Sequence, residues 1–326
     1  MEEATPAPFT DKRKTDSEII TDMLARIDDS VPLHLRNKLR ELLRNYFDVF
    51  SKNEWDLGWT NFVTRRINTS DHEPVRQPFP RYPPANLQAI DKHVTDMQRQ
   101  GIIEPWASNI VLAKKKDGTL RCCVDYHRLN DATRKDAYPL PRTDDCFDAM
   151  SGSRWFSTFD LRSSYHQVAL DPNDMDKTAF ITCRGMYRFR TMPFGLCNAG
   201  ATFQRLMDLT LTELNLEVCL AYLDDVIIFS RPPEQHLIRF EQVLERLRGV
   251  KLKLKPNKCC LMQVKVNFLG HVISGEGIAT DREKSALSRS GRLLVTFANY
   301  EAFSHWQGIT GDLLKGMPKL LHRSML

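Results

Sequence analysis

Residues 217–230 read EVCLAYLDDVIIFS and place two adjacent aspartates, Asp224 and Asp225, between two apolar runs. The runs at 218–223 and 226–229 have the length and the β-branched or aromatic content of strands, so the stretch predicts a β-hairpin with both acids at its tip. Aspartate is also common in turns for purely structural reasons. The stretch alone therefore leaves open whether the two carboxylates form a turn or carry chemistry.

The composition of the 326-residue chain is that of an ordinary globular protein, with 42% hydrophobic and 27% charged residues. This length allows two domains or one large one. No apolar run reaches the roughly 18 residues of a membrane span, and the N-terminus is polar, without a signal-peptide core. The sequence thus predicts an intracellular, cytoplasmic protein with no membrane partner. Its net charge of +5 mildly favours a polyanionic partner.

The eight cysteines form no CxxC motif, and the nine histidines form no HExxH motif. Free thiols in a reducing compartment are therefore a better interpretation of the cysteines than structural zinc.

The apolar periodicity predicts helices that alternate unevenly with short strands. Amphipathic helices are predicted at 39–50, 87–101, 198–216 and 233–247, and strands at 109–113, 121–126, 155–160, 178–182, 186–191, 218–229 and 266–273. Residues 71–84 contain five prolines and predict an extended strap that forms the first domain boundary. The hairpin-linked strands indicate an α+β fold with antiparallel pairing rather than a doubly wound parallel sheet.

A third carboxylate, Asp160, ends the predicted strand at 155–160. Three carboxylates at the ends of neighbouring strands repel one another unless a cation lies between them, and Mg²⁺ is usually bound by one or two carboxylates plus substrate phosphates. In two-metal catalysis the ions lie about 3.5–4 Å apart, one activating the attacking oxygen and the other holding the leaving group. Asp160, Asp224 and Asp225 are therefore the predicted ligands of two divalent ions.

Four segments stand in the order and spacing of reverse transcriptases. They are FSTFDLRSSYHQ (156–167), RTMPFGLCNAGATFQRLM (190–207), YLDDVIIFS (222–230) and VNFLGHVIS (266–274), and the upstream PWASNIVLAKKKDGTLRCCVDYHRLN (105–130) resembles the fingers. FDVFSKNEWDLGWT (47–60) and PVRQPFPRYPP (74–84) resemble the lead-in of gypsy-type Pol polyproteins. The resemblance is thus to the gypsy-type branch of long-terminal-repeat retrotransposons and covers roughly residues 40–284.

This resemblance implies a right-hand polymerase, with fingers and an antiparallel palm sheet backed by helices. The implied activity is RNA-directed DNA polymerase, in which a primer 3′-hydroxyl attacks the α-phosphate of a nucleotide with the help of two Mg²⁺ ions, Mn²⁺ being an alternative. The implied partners are dNTPs and an RNA or DNA template with a primer, tRNA in the natural reaction. The location could extend to retrotransposon particles, and the oligomeric state is not implied.

The resemblance also assigns roles to single positions. Asp160 and Asp224 resemble the carboxylates that hold both ions, and Asp225 the third acid, beside the primer terminus. Tyr165 resembles the bulky residue that excludes a ribose 2′-OH by clash. The alternative for Tyr165 is a core tyrosine in a sheet.

Further positions resemble the nucleotide and primer contacts of the family. Those implied to contact the nucleotide are Lys115, Arg121, Phe194 and Gly195; those implied to position the primer are Tyr222, Phe268, Leu269, Gly270 and His271. In isolation the Lys115 turn is a solvated charged turn, and the Phe268 segment is a core strand. Asn198 is predicted to cap the helix that follows.

The chain departs from the family pattern after GEGIATDREK (275–284). Family members continue with a tryptophan-proline segment that leads to a connection region and ribonuclease H. Back-translated and read in another frame, residues 290–315 permit that missing segment. The predicted organisation is a helical leader and linker at 1–75, fingers and palm with the start of a thumb at 76–284, and a frameshifted tail at 285–326.

With that organisation the thumb is incomplete, and the ribonuclease H and integrase of a parent polyprotein are absent. Two alternatives to an active polymerase remain at this stage. One is a weak or inactive retroelement remnant that retains the palm. The other is a nucleotide cyclase with a palm-like fold, which would need neither a fingers grip nor a primer hairpin.

Overall fold

The computed structural model describes residues 15–70, 84–105, 110–114, 120–182 and 185–280. Within these ranges the helices are α1 (Asp16–Leu24), α2 (Leu33–Asn45), α3 (Pro84–Arg99), α4 (His127–Ala132), α5 (Thr143–Ala149), α6 (Ala199–Thr210) and α7 (Pro233–Gly249). None of them is both long and apolar enough to cross a membrane. Most of the predicted proline strap and the predicted tail at 285–326 lie outside the described residues.

The strands in the same ranges are short and mostly joined as hairpins. They are β1 (Thr60–Arg65), β2 (Ile103–Pro105), β3 (Ile110–Lys114), β4 (Leu120–Val124), β5 (Trp155–Asp160), β6 (Val168–Leu170), β7 (Phe180–Thr182), β8 (Gly185–Phe189), β9 (Cys219–Tyr222), β10 (Asp225–Ser230), β11 (Cys260–Gln263), β12 (Lys265–Phe268), β13 (His271–Ser274) and β14 (Gly277–Thr280).

A four-stranded antiparallel sheet with the order β11-β5-β10-β9 forms the palm. The predicted hairpin at 217–230 is β9 and β10, and β10 also pairs with β5 over its whole length. Smaller sheets are β2-β8-β7, β12-β13-β14 and the pair β3-β4, all antiparallel, whereas β1 and β6 form a parallel pair. The predicted α+β architecture with mainly antiparallel pairing is confirmed.

Strand β10 is buried on both faces, which explains its unbroken apolar run. Val226 and Ile228 belong to the larger core cluster, which also contains Phe240 of α7. Ile227 and Phe229 belong to a second cluster, shared with α5, β12 and β13. Because successive side chains of a strand point to opposite faces, a strand covered on both sides needs an apolar residue at each position. Each such burial stabilises the fold by about 1.5–3 kcal/mol.

Helix α7 is fastened to the palm sheet by a buried histidine. His236 is fully buried, its Nε2 lies 2.7 Å from Ser157 Oγ of β5, and its Nδ1 lies 3.1 Å from Ser230 Oγ of β10. Ser230 Oγ donates to Pro232 O, so it accepts from Nδ1–H. Ser157 therefore donates to Nε2, while its oxygen accepts from the Met262 amide. The imidazole is neutral in this network.

The N-terminal helices pack on the palm rather than away from it. Ile20 of α1 and Leu39 and Leu43 of α2 belong to the same core cluster as the palm residues. Gly58 lies against the palm so closely that an added Cβ would be 2.2 Å from Lys251 O and 2.3 Å from Gln167 Oε1. Glycine is therefore required at position 58 by close backbone approach.

We expect His236 to make the fold sensitive to acid. Desolvation by burial, with Arg239 as a secondary cause, lowers the pKa of His236 from 6.5 to about 3. Below pH 6.5 the unfolded chain binds a proton that the folded chain does not, so the free energy of unfolding should fall by about 1.4 kcal/mol per pH unit until pH approaches 3. Urea unfolding between pH 8 and pH 4 measures this slope.

The matched variants are His236→Gln and His34→Gln, the latter an exposed histidine of α2. His236→Gln should be less stable than the parent at pH 8 and should lose part of the pH slope, whereas His34→Gln should retain it. An unchanged slope in His236→Gln would contradict the assignment.

Candidate active site

Two paired strands bring the three predicted acids to one end of the palm sheet. Asp160 is the last residue of β5 and pairs directly with Asp225, the first residue of β10. Asp224 precedes Asp225 in the two-residue turn that joins β9 to β10, and its carbonyl accepts from the Leu161 amide at 3.3 Å. The structure therefore brings together Asp160, Asp224 and Asp225, although β6 to β9 and α6 lie between the first acid and the other two in sequence.

Burial and the neighbouring acids raise the pKa values of two of these carboxylates. Desolvation and the charges of Asp224 and Asp160 raise the pKa of Asp225 to about 6. Its side chain still reaches solvent, so protein atoms crowd it without enclosing it. Desolvation and the charge of Asp160 also raise the pKa of Asp224, although backbone hydrogen bonding, Lys258 and Ser164 oppose the rise. Burial and the neighbouring carboxylates therefore both disfavour the ionised forms of Asp224 and Asp225.

Lys258 partly neutralises the acids and was missed by the sequence analysis. Its Nζ donates to Asp160 Oδ2 at 2.7 Å, from the turn that precedes β11. Burial lowers the pKa of Lys258, but the hydrogen bond to Asp160 and the charges of all three acids outweigh this and raise it. The run KLKLKPNK at 251–258 was the available signal, but it does not indicate which lysine faces the acids.

The turn that carries Lys258 is held by an arginine from the N-terminal segment. Arg26 Nη1 donates to Asn257 O at 3.0 Å and to Cys259 O at 3.1 Å, and its Nη2 donates to Pro256 O at 2.7 Å. Gln263 Nε2 in turn donates to Arg26 O at 2.7 Å. The carbonyl oxygens on both sides of Lys258 are therefore tied to the segment that follows α1.

The turn that carries Asp224 is strained. Leu223 has φ +53 and Asp224 has a negative φ. This is the φ pattern of a type II′ hairpin turn. Glycine is preferred at the first position of such a turn, and a non-glycine residue there costs about 1–3 kcal/mol. The Leu223 amide donates to Gln204 Oε1 at 2.8 Å. Strain of this kind persists only where the surroundings hold it.

Tyr165 lies in the core, in the short helical turn that follows β5. Its ring is only 6% exposed and packs on Phe194 at 5.2 Å and on Phe203 at 5.8 Å between ring centroids. Gly195 follows Phe194 with φ +92, and its carbonyl accepts from Asn130 Nδ2 at 2.8 Å. The structure thus places Tyr165 against Phe194, the residue before Gly195, with the tyrosine as part of the core.

Asn198 is the N-cap residue of α6, as predicted, but its side chain does not make the expected capping hydrogen bond. Asn198 precedes α6 in a left-handed conformation, with φ +60, and its side chain makes no cap hydrogen bond. Its Oδ1 accepts instead from the Asp136 amide at 3.0 Å, and its Nδ2 donates to Arg134 O at 2.8 Å. The side chain is occupied with holding residues 134–136 against the start of α6.

The fingers residues are only partly described. Lys115 lies outside the described residues, and of Arg121 only the backbone is described, on β4 opposite Ala113 of β3. The β3–β4 pair predicted around them is present. The approach of their side chains to a nucleotide at the acids therefore stays a prediction.

The predicted primer residues lie on two hairpins that meet over the second core cluster. Tyr222 pairs with Asp225, and both Tyr222 and Leu269 pack on that cluster. Leu269 (φ +47) and Gly270 (φ +78) form the two-residue turn between β12 and β13. His271 packs edge-on against Phe147 at 4.8 Å. Phe268 is buried, so this segment presents its turn and His271, rather than Phe268, outward.

No three acidic, histidine or cysteine side chains converge into a ready-made metal cage within the described ranges. Asp160, Asp224 and Asp225 are adjacent, but Asp160 is turned to Lys258. Carboxylate oxygens are nevertheless the ligands that Mg²⁺ and Mn²⁺ prefer. Desolvation and the neighbouring acids raise the pKa values of Asp224 and Asp225, and a divalent cation beside them would stabilise their ionised forms. The residue types and charge therefore fit divalent ions, provided the side chains rearrange.

A palm sheet with acids on the β9–β10 hairpin and at the end of β5 is the architecture of the right-hand polymerase fold. The fold is similar to a foamy viral protease-reverse transcriptase solved in complex with an RNA/DNA hybrid, with a TM-score of 0.78 at 19% identity over 91% of this chain and 42% of that one. A second foamy viral structure, solved with dsDNA, gives a TM-score of 0.77 at 20% identity over 87% of this chain and 60% of that one.

The sequence comparisons agree with the fold. Residues 113–273 match the family model described as "Reverse transcriptase (RNA-dependent DNA polymerase)". The chain is 36% identical over 292 residues to the Pol polyprotein of transposon 297 from Drosophila melanogaster, covering 86% of this chain and 27% of that protein. It is 32% identical over 270 residues to the Pol polyprotein of transposon gypsy from the same organism, covering 79% and 26%.

The chain belongs to the reverse transcriptase family, and its curated relatives are Pol polyproteins of gypsy-type transposons. It spans about a quarter of the length of these relatives. The resemblance read from the four sequence segments is confirmed.

The repulsion at the acids predicts that removing one charge stabilises the fold. The pKa of Asp225 is about 6 in the folded chain against 3.8 for an ordinary aspartate, so its ionisation reduces the stability of the fold as pH rises from 3.8 to about 6. Asp225→Asn should therefore raise the Tm at pH 8. Below pH 3.8 both states of the parent are protonated, and the difference should vanish.

Asp148→Asn, an exposed aspartate of α5, is the control and should show no such pH-dependent gain. Thermal unfolding at pH 8, 6 and 4 without added metal measures the effect. A lower Tm for Asp225→Asn at pH 8 would contradict the electrostatic account.

Proposed function

We propose that the chain is an RNA-directed DNA polymerase that adds deoxynucleotides to the 3′-hydroxyl of a primer on an RNA or DNA template. The observation that carries this proposal is the placement of Asp224 beside the Asp160–Asp225 pair at one end of the palm sheet. Family membership supports the same reaction. Binding to template and primer by this chain is also proposed from that membership. The foamy viral structures support a similar fold but do not by themselves assign a ligand.

Asp160 and Asp224 are the proposed ligands of two divalent ions, with Asp225 beside them. When bound, Mg²⁺ or Mn²⁺ would activate the primer hydroxyl and stabilise the charge that develops on the leaving pyrophosphate. The protein itself must present ionised carboxylates to the ions. Because the pKa of Asp225 is about 6, this carboxylate becomes protonated at lower pH. Lys258 donates to one oxygen of Asp160, Oδ2, so an ion bound through that oxygen would have to displace the lysine.

Other residues have proposed roles in binding. Tyr165 with Phe194 and Gly195 would form the floor beneath the nucleotide sugar, and Lys115 and Arg121 would hold the triphosphate with a point charge and a planar fork of donors. Tyr222 and the turn from Phe268 to His271 would support the primer end. A tRNA primer and a location in cytoplasmic particles belong to the proposal only through the resemblance to gypsy-type retrotransposons.

The acids give the direct test of the activity. Asp160→Asn and Asp224→Asn should each reduce metal-dependent extension of oligo(dT) on poly(rA) to background, because an amide is a much poorer ligand for Mg²⁺ than a carboxylate. Asp148→Asn is the control and should extend primers at the parent rate. Circular dichroism and Tm establish that the variants are folded.

Extension by Asp224→Asn at the parent rate would contradict the metal assignment. A folded parent chain that binds Mn²⁺ but extends no primer would instead favour the inactive retroelement remnant.

The floor assignment predicts a change in sugar selectivity at Tyr165. Tyr165→Ala should increase the use of ribonucleotides relative to deoxynucleotides, since the removed ring no longer clashes with a 2′-OH, a loss of discrimination of about 1–3 kcal/mol. Single-nucleotide incorporation with dTTP and UTP measures the ratio.

Tyr165→Phe keeps the ring and should retain the parent selectivity. If Tyr165→Ala lowers the Tm and leaves the selectivity unchanged, Tyr165 serves only as the core residue that its burial describes.

A further inference from the structure

Gln204 is a buried glutamine of α6 whose hydrogen bonds converge on the turn that carries the acids. Its side chain is fully buried, and Oε1 accepts from the Leu223 amide at 2.8 Å. Its Nε2 donates to Ala221 O at 3.1 Å, on the strand that leads into the turn, and to Asp208 Oδ1 at 2.9 Å. The Gln204 side chain thus hydrogen-bonds to the backbone of both Ala221 and Leu223, which precede Asp224 in the chain.

The orientation of the Gln204 amide is fixed by its partners. The Leu223 amide is a donor and must face the oxygen, whereas the Ala221 carbonyl and the Asp208 carboxylate are acceptors and must face the nitrogen. A rotated amide would place two acceptors against Oε1 and two donors against each other. Gln204 therefore fits the turn in one orientation.

A chain of contacts continues from Gln204 to the segment before α5. The second oxygen of Asp208, Oδ2, accepts from the Tyr138 hydroxyl at 2.7 Å, and the Arg205 guanidinium lies 4.6 Å from the centre of the Tyr138 ring. Arg205 Nη2 donates to Asp136 Oδ2 at 2.9 Å. Asp208 is therefore held on its far side by Tyr138, which keeps Oδ1 directed at Gln204.

We propose that Gln204 is a positioning residue for the polymerase reaction: it holds Leu223 in the left-handed conformation that presents Asp224 beside Asp160 and Asp225. The proposal rests on the proposed function. Leu223 prefers a negative φ, and the Gln204 oxygen is the acceptor that satisfies its amide in the present turn. Without that acceptor the turn would relax and Asp224 would move relative to the Asp160–Asp225 pair.

The test distinguishes this positioning role from simple core packing because a second substitution, at Leu223, removes the backbone strain of the turn. Gln204→Met keeps a similar volume but loses all three hydrogen bonds. Leu223→Gly allows the positive φ without strain. The four proteins are the parent, Gln204→Met, Leu223→Gly and the double variant, all prepared as the full chain.

Gln167→Met is the matched control because Gln167 is also fully buried and makes the same type of contacts. Its Nε2 donates to Arg162 O at 2.7 Å and to Lys253 O at 2.9 Å, and its Oε1 accepts from the Lys253 amide at 2.7 Å. Substitution of Gln167 thus removes the same number of hydrogen bonds away from the Leu223 turn.

Three quantities are measured: kcat and the dNTP KM for primer extension, Mn²⁺ affinity by isothermal titration calorimetry, and Tm. Gln204→Met should lower kcat about ten- to a hundred-fold, the scale expected for a displaced reacting group, with little change in KM. Its Mn²⁺ affinity should fall as well. In the double variant, Leu223→Gly should restore most of the kcat and of the Mn²⁺ affinity, whereas it should restore neither in a Gln167→Met background.

Parent values of kcat and Mn²⁺ affinity in Gln204→Met would overturn the proposal. So would a loss that Leu223→Gly does not restore, or that it restores equally in Gln167→Met, because Gln204 would then act only through general stability. If the parent chain extends no primer, the proposed function fails, but the Mn²⁺ affinities of the four proteins still decide whether Gln204 positions Asp224.

Discussion

The clustering of three carboxylates, Asp160, Asp224 and Asp225, at one end of the palm sheet is the constraint on which the site depends. Two of these acids pair across β5 and β10, and the third lies in the adjoining turn, so their separation is fixed by strand pairing. Burial first, and the charges of the neighbouring acids second, raise the pKa values of Asp224 and Asp225, so this arrangement disfavours their ionised forms. The apolar burial of β10 on both faces and the network at His236 supply stabilisation that offsets it.

The site is supported from two sides by elements that are distant in sequence. Helix α6 reaches the strained Leu223 turn through Gln204, and the turn before β11 brings Lys258 to Asp160. In each case a polar side chain satisfies a group that the fold has placed in an unfavourable environment: a strained amide in the first and a crowded carboxylate in the second. Functional sites commonly store strain and charge in this way at the expense of stability.

The N-terminal segment is structurally part of the palm, although the family match begins only at residue 113. Gly58 allows its chain to lie against Lys251 and Gln167, and Arg26 binds the carbonyl oxygens around Lys258. Helices α1 and α2 share the core cluster of the palm sheet. The predicted boundary near residue 75 falls at the proline strap, outside the described residues, so it marks a change in sequence pattern rather than an observed separation of cores.

The sequence by itself determined the α+β class, the β9–β10 hairpin and the position of each acid at the end of a strand, because short apolar, β-branched runs that end in aspartate are a local signal. That Asp160 lies beside Asp225 depends on the pairing of β5 with β10. It overextended the helix predicted at 198–216, since α6 ends at Thr210 and the left-handed Glu213 and Leu216 follow. Only the tertiary structure decided that Lys258 meets Asp160 and Gln204 meets Leu223. Those contacts join separate elements, and their geometry depends on how helices and sheets pack, which no local periodicity encodes.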